Sequence, residues 1–184
     1  MQKLYRDIIK YYLNKKTKKM KIRTLLYLCI MLFPILSSAQ KSNDSYRNPI
    51  IPTSLPDPTV IRAQDGYFYL YATENIRNLP IYRSSDLVNW TFVGTAFNDE
   101  SRPKWNRKGG IWAPDINYFN GKYVLYYAKS TWGGEWEAGI GVATADNPAG
   151  PFTDHGAIII SKNLGTQNSI DPEFVEEKGH KYLF

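Results

Sequence analysis

Leu55-Pro56-Asp57-Pro58, Ala113-Pro114-Asp115 and Ile170-Asp171-Pro172 are variations on one theme, and each carries an aspartate. The interval from Asp57 to Asp115 nearly equals that from Asp115 to Asp171. Downstream of each stands a glycine-led aromatic segment: Gly66-Tyr67-Phe68-Tyr69-Leu70-Tyr71, Gly121-Lys122-Tyr123-Val124-Leu125-Tyr126-Tyr127 and Gly179-His180-Lys181-Tyr182-Leu183-Phe184. Gly66, Gly121 and Gly179 keep nearly the same interval as the aspartates. A repeat of about 57 residues made of β-type segments predicts a β-propeller with one blade per repeat. The first strand of a blade lines the central channel, so equivalent positions converge on the axis. Aspartates at one phase then predict a ring of carboxylates at one mouth, an arrangement for acid/base chemistry on a sugar.

Residues 1–39 read as a leader rather than as fold. Met20-Lys21-Ile22-Arg23, the apolar run Leu25 to Leu36 and the small residues Ser37-Ser38-Ala39 have the order of a secretory signal, with a true start at Met20 and cleavage after Ala39. The apolar run is too short for a membrane span. The leader holds nine Lys/Arg against Asp7 alone, and the remainder holds 14 Lys/Arg against 16 Asp/Glu. The basic character of the whole chain therefore belongs to the leader, which removes the main support for a nucleic-acid partner. Cys29, the only cysteine, also lies there, so the remaining chain has no disulfide and no thiolate metal site. A secreted or periplasmic protein with no membrane attachment after signal cleavage is expected.

Residues 40–55 read as a linker and extended lead-in, and 56–184 as an incomplete propeller domain. No stretch of ten or more residues has helical period. The first blade is predicted from Thr59–Ala63, read as buried on both faces, then Tyr67–Thr73, Ile81–Ser84 and Trp90–Gly94. The second is predicted from Ile116–Phe119, Tyr123–Lys129, Gly139–Ala143 and a strand beyond Phe152. The third opens at Glu173-Phe174-Val175 and turns at Lys178-Gly179. Asp65-Gly66 and Asn120-Gly121 are hairpin turn signals. Trp90 is expected to plug one blade against the next. Five blades of this repeat length would need roughly 285 residues. A chain truncated to about two and a half blades is the expectation, and as such it should be inactive and poorly folded alone.

Three motifs in order, Asn48-Pro49-Ile50 with Pro56-Asp57-Pro58, Ile111-Trp112-Ala113-Pro114-Asp115, and Asn168-Ser169-Ile170-Asp171-Pro172, resemble those of glycoside hydrolase family 43. That family consists of five-bladed propeller enzymes that cleave arabinose- and xylose-containing polysaccharides. The resemblance implies that Asp57 is the general base activating water, and that Asp171 tunes the pKa of the general acid and holds it in place. It implies a glutamate general acid in a Glu-Gly-Pro-like context, which Glu173, Glu176 and Glu177 do not provide. An inverting glycosidase sets its acid and base roughly 6.5–9.5 Å apart, leaving room for a water beneath the anomeric carbon. A third carboxylate nearby keeps the acid protonated by like-charge repulsion.

Asp115 reads either as a sugar-hydroxyl or supporting hydrogen-bond partner or as a turn cap. Trp112 reads as an apolar platform for a sugar ring, and Trp105, Trp132 and Trp136 as outer-subsite residues or ordinary loop packing. No nucleotide fingerprint, nucleophile elbow or zinc spacing is present. No cofactor is required, although relatives hold a structural calcium in the channel. The motifs lean toward arabinanase or α-L-arabinofuranosidase, with a plant poly- or oligosaccharide as partner. A β-xylosidase, a retaining fructan-type propeller hydrolase and a non-catalytic carbohydrate-binding propeller remain alternatives.

Overall fold

Apolar alternation broken by tight turns produces ten short strands among the described residues, which in this computed structural model are 46–106 and 108–184 with residues 7, 10, 11 and 13–17. The signal reading at 20–39, Cys29 and the cleavage position lie outside them. The chain divides into two compact units, Met1–Ser45 and Tyr46–Phe184, and the described residues of the first are helical. In the second, β1 (Thr59–Arg62), β2 (Phe68–Tyr71), β3 (Pro80–Ser84) and β4 (Thr91–Thr95) form one four-stranded antiparallel meander. A second meander follows from β5 (Gly110–Phe119), β6 (Lys122–Ser130), β7 (Gly139–Ala145) and β8 (Thr153–Ile160). A one-turn helix, α1 (Ser161–Leu164), then leads to the hairpin β9 (Phe174–Glu177) and β10 (His180–Leu183).

The turn residues explain the hairpins. Asn120 and Gly121 have φ of 52° and 76°, and Lys178 and Gly179 have 52° and 81°. Two successive left-handed residues give the turn whose twist matches that of the flanking strands. The first repeat differs from expectation. There Ala63 donates its N–H to Tyr67 O at 2.8 Å and Gly66 donates to Ala63 O at 3.0 Å, so Asp65-Gly66 sits in a three-residue loop.

The two meanders share one core. Tyr69, Tyr71, Leu79, Ile81 and Phe97 from the first pack with Ile111, Ile116, Tyr123, Leu125, Tyr127 and Phe152 from the second. Tyr71 meets Phe152 edge-on at 6.1 Å, and Phe97 meets Tyr127 at 5.7 Å. Large aromatic rings bury much area per residue and add edge-to-face attraction. β7 lies close over Tyr127 because position 141 is glycine: a Cβ there would fall 2.3 Å from the tyrosine ring.

Three expectations are revised. β1 is not buried on both faces, since Val60 and Arg62 face solvent while Thr59 and Ile61 are half-buried. β5 starts at Gly110 rather than Ile116, because a bulge between Trp112 and Asp115 lets the strand absorb Pro114, which has no N–H for the ladder. Trp90 packs with Leu70, Ala72, Tyr82, Ile51 and Leu55, against the first sheet and its lead-in, and Phe152 takes the position between sheets.

Antiparallel order places one set of strand ends along one edge: the starts of β1, β3, β5 and β7 and the ends of β2, β4, β6 and β8. Asp57, Thr73, Gly110–Ala113 and the β6–β7 loop with Trp132 and Trp136 therefore lie along that edge.

Candidate active site

Asp57, Ala113 and Asp171 share an uncommon backbone state. Their φ values are 48°, 35° and 57°, and each directly precedes a proline. Left-handed backbone is uncommon outside glycine, and aspartate tolerates it better than alanine. Hairpin register makes these positions equivalent. Phe119 pairs with Lys122 and Glu177 with His180, and Ala113 and Asp171 each lie six residues before the first member of their pair. By the same register Asp115, opposite Tyr126, matches Glu173, whose backbone exchanges hydrogen bonds of 3.1 and 2.9 Å with Phe184. The repeated position thus carries aspartate, alanine and aspartate, so two carboxylates share the phase rather than three. The prolines Pro58, Pro114 and Pro172 are the sequence signal that aligns the repeats correctly.

Asp57 is held by a relay from the neighbouring sheet. Ala113 donates its backbone N–H to Thr73 Oγ1 at 2.7 Å, and the Thr73 hydroxyl donates to Asp57 Oδ2 at 2.7 Å. Thr73 also donates its own N–H to Pro56 O at 2.9 Å. A hydroxyl that accepts one bond and donates another has its proton direction fixed. Thr73, two residues beyond the end of β2, is the site residue that sequence reasoning missed.

Asp171 is placed by the loop that follows β8. The Ser161 hydroxyl, fully buried, accepts the N–H of Ser169 at 2.9 Å, and Asn168 donates its N–H to Glu135 O at 3.0 Å. Burial raises the Asp171 carboxyl from its ordinary value, and the negative charge of Asp57 adds to the shift. The two aspartates from separate repeats therefore lie within electrostatic reach of each other.

Asp115 points to a different set of partners. Its Oδ2 accepts from Asn117 Nδ2 at 2.8 Å and from the N–H of Phe174 at 2.8 Å. Phe174 in turn stacks on Phe119 at 5.2 Å and Tyr126 at 5.8 Å, so Asp115 ties the third hairpin to the second sheet. The Trp112 ring lies 5.3 Å from that of Trp132, which is 94% exposed. A Cβ at Gly110 would fall 2.5 Å from Trp112 Nε1, so this glycine makes room for the ring. Trp136 is half exposed, whereas Trp105 donates Nε1–H to Tyr127 OH at 3.0 Å and packs on the core. Glu176 and Glu177 stand exposed on β9.

The model of glycosyl hydrolases family 43 matches residues 46–184. The chain belongs to this family. It is 37% identical over 140 residues to a non-reducing end α-L-arabinofuranosidase of Bacteroides ovatus, covering 72% of this chain and 25% of that protein. It is also 37% identical over 137 residues to an extracellular endo-α-(1→5)-L-arabinanase of Bacillus subtilis, covering 70% and 42%. Among solved structures, α-L-arabinanase of Cellvibrio cellulosa complexed with arabinohexaose is similar with a TM-score of 0.62 and 30% identity, over 71% of this chain and 44% of that one. Native Bacillus subtilis arabinanase gives 0.59 and 31%, over 72% and 47%. The chain thus spans less than half the length of these relatives.

The two meanders and the hairpin of this family-43 chain share the all-β architecture of those structures. The calcium implied by the resemblance would need gathered oxygen or imidazole ligands. Among the described residues no group of three or more His, Cys, Asp or Glu is placed to hold a metal ion. These residues do not by themselves fit a metal site.

Proposed function

We propose that the chain carries the first blades of a five-bladed propeller, and that the protein is a secreted, inverting glycoside hydrolase acting on arabinan. Asp57 is the general base and Asp171 the carboxylate that keeps the general acid protonated. The observation that supports this reading is that Asp57 and Asp171 occupy the same left-handed, pre-proline position of separate repeats. A relay from Ala113 through Thr73 fixes the first of them. A carboxylate held in one direction by a hydrogen-bonded hydroxyl is suited to take a proton from a water aligned on the anomeric carbon.

In this mechanism the base and the acid act on opposite faces of the sugar. Asp57 removes a proton from water as the oxygen attacks the anomeric carbon. A glutamate other than Glu173, Glu176 and Glu177 protonates the departing glycosidic oxygen. Trp112, stacked with Trp132, offers an apolar surface to a sugar ring. The relatives named as arabinanases and an arabinofuranosidase support arabinan over xylan as substrate. The name of the extracellular relative supports secretion, and no helix among the described residues is long and apolar enough to cross a membrane.

The test is hydrolysis of linear 1,5-arabinan, arabino-oligosaccharides and xylan by the intact protein, followed by product chromatography. Release of arabinose or short arabino-oligosaccharides is expected, with little product from xylan. Comparable or faster release from xylan would overturn the substrate assignment.

A further inference from the structure

A second feature along the active-site edge has a chemistry that neutral arabinan does not use. The β2–β3 loop and the β4–β5 connection flank an open pocket of about 580 Å³, within the size range of small-ligand sites. It is walled by four cationic side chains, Arg77, Arg102, Lys104 and Lys108, against two carboxylates, Glu74 and Asp99. Its wall continues directly into the catalytic segments. Glu74 follows Thr73 and donates its N–H to Ile111 O at 3.1 Å, while Gly110 lies under the Trp112 ring.

The groups divide into a fixed frame and free charges. Arg102 is fully committed: it binds Glu74 through both nitrogens at 2.7 and 2.6 Å, Asn78 Oδ1 at 3.0 Å and Gly109 O at 3.3 Å. Lys129, completely buried, sends its ammonium to the same Gly109 carbonyl at 2.7 Å. Burial first, and then the charge of Arg102, push Lys129 down to about 8, with Arg77 adding to the same effect. Lys104 and Lys108 are exposed and form no ion pair among the described residues. The Arg77–Asp99 pair at 2.7 Å is 63% and 71% exposed, so opening it costs little.

We propose that this pocket is a subsite for a carboxylated sugar, a uronic acid unit on the polysaccharide whose neutral linkages the active site cleaves. The proposal rests on the glycosidase reading above. Lys104 and Lys108 bind the carboxylate, with Arg77 available to join them, and Glu74 and Asp99 favour a singly charged, hydroxyl-bearing group over a doubly charged phosphate. Sugar hydroxyls donate to such carboxylates, whereas a phosphate is repelled by them. The rigid Arg102–Glu74–Gly109 frame fixes the distance from this subsite to Trp112.

Calorimetry on the intact protein at low ionic strength tests the subsite with trigalacturonate, its carboxyl-reduced counterpart and inorganic phosphate as probes. The wild type is expected to bind trigalacturonate at least about tenfold more tightly than the reduced sugar, consistent with charge-assisted hydrogen bonds. Added salt should erode that preference. The Lys104→Ala/Lys108→Ala variant should lose it while hydrolysing neutral arabino-oligosaccharides at about the wild-type rate. Equal binding of charged and reduced sugars would overturn the proposal, as would a preference retained in the variant. Phosphate competing as strongly as trigalacturonate would also overturn it, leaving a general anion patch. Failure of the glycosidase reading shows separately, as absent hydrolysis of the neutral oligosaccharides by the wild type.

Discussion

Asp57 and Asp171 occupy backbone positions that cost energy for any residue with a side chain, and such strain concentrates where a side chain must be aimed. Replacing Asp57 by asparagine keeps the shape and removes the ability to take a proton. The rate on arabino-oligosaccharides is expected to fall about 10²–10⁴-fold with binding retained, and steady-state kinetics with calorimetry check both parts. For Asp171→Asn the sign follows from charge. Under the proposed mechanism, removing this anion lowers the pKa of the general acid, so the pH–rate profile should lose activity from its alkaline side; an unchanged profile would leave Asp171 as a turn residue. Both aspartates were legible in the sequence through the Asp-Pro motifs. Their phase relation to Asp115 was not, because aligning on aspartates hides the bulge that shifts Asp115 two residues past the shared position.

The strands themselves were readable because turn chemistry is local: Asn120-Gly121 and Lys178-Gly179 declare their hairpins before any tertiary contact. Tertiary ties were not readable. Glu74, Arg102 and Lys129 are distant in sequence, and only the packed loops show that Arg102 and Lys129 converge on the Gly109 carbonyl. Burial works to raise the Glu74 carboxyl, but its hydrogen bonds and the Arg102 charge hold it below the usual value. Both side chains of this pair are nearly buried, at 12% and 13% exposure. Arg102→Ala strands the carboxylate and is expected to cost about 3–5 kcal/mol in urea unfolding. The double change Arg102→Ala/Glu74→Ala should recover part of that loss. Lys129 gives a pH signature of the same frame. Its folded value, about 8, lies below the ordinary 10.5, so within that window the unfolded chain binds a proton that the native chain does not. Stability should therefore rise with pH across that window, and Lys129→Met should remove this increment.

At the scale of the whole molecule, the repeated proline motifs and Gly-aromatic segments were the dominant signal, and the two meanders with a following hairpin reproduce it in order. What the repeat could not reveal is how neighbouring repeats tie together, through Tyr71 on Phe152, Thr73 on Ala113 and Asp115 on Phe174. The second of these ties sets the Thr73–Asp57 contact beside the segment that carries Trp112. The central claim is that this site activates water for a single displacement at the anomeric carbon. Proton NMR of the first-formed sugar from an α-linked arabino-oligosaccharide, cleaved by the intact protein, tests it most directly. The account predicts that the β-anomer appears first and then mutarotates. First appearance of the α-anomer would mean retention, which contradicts the assignment of Asp57 as a general base.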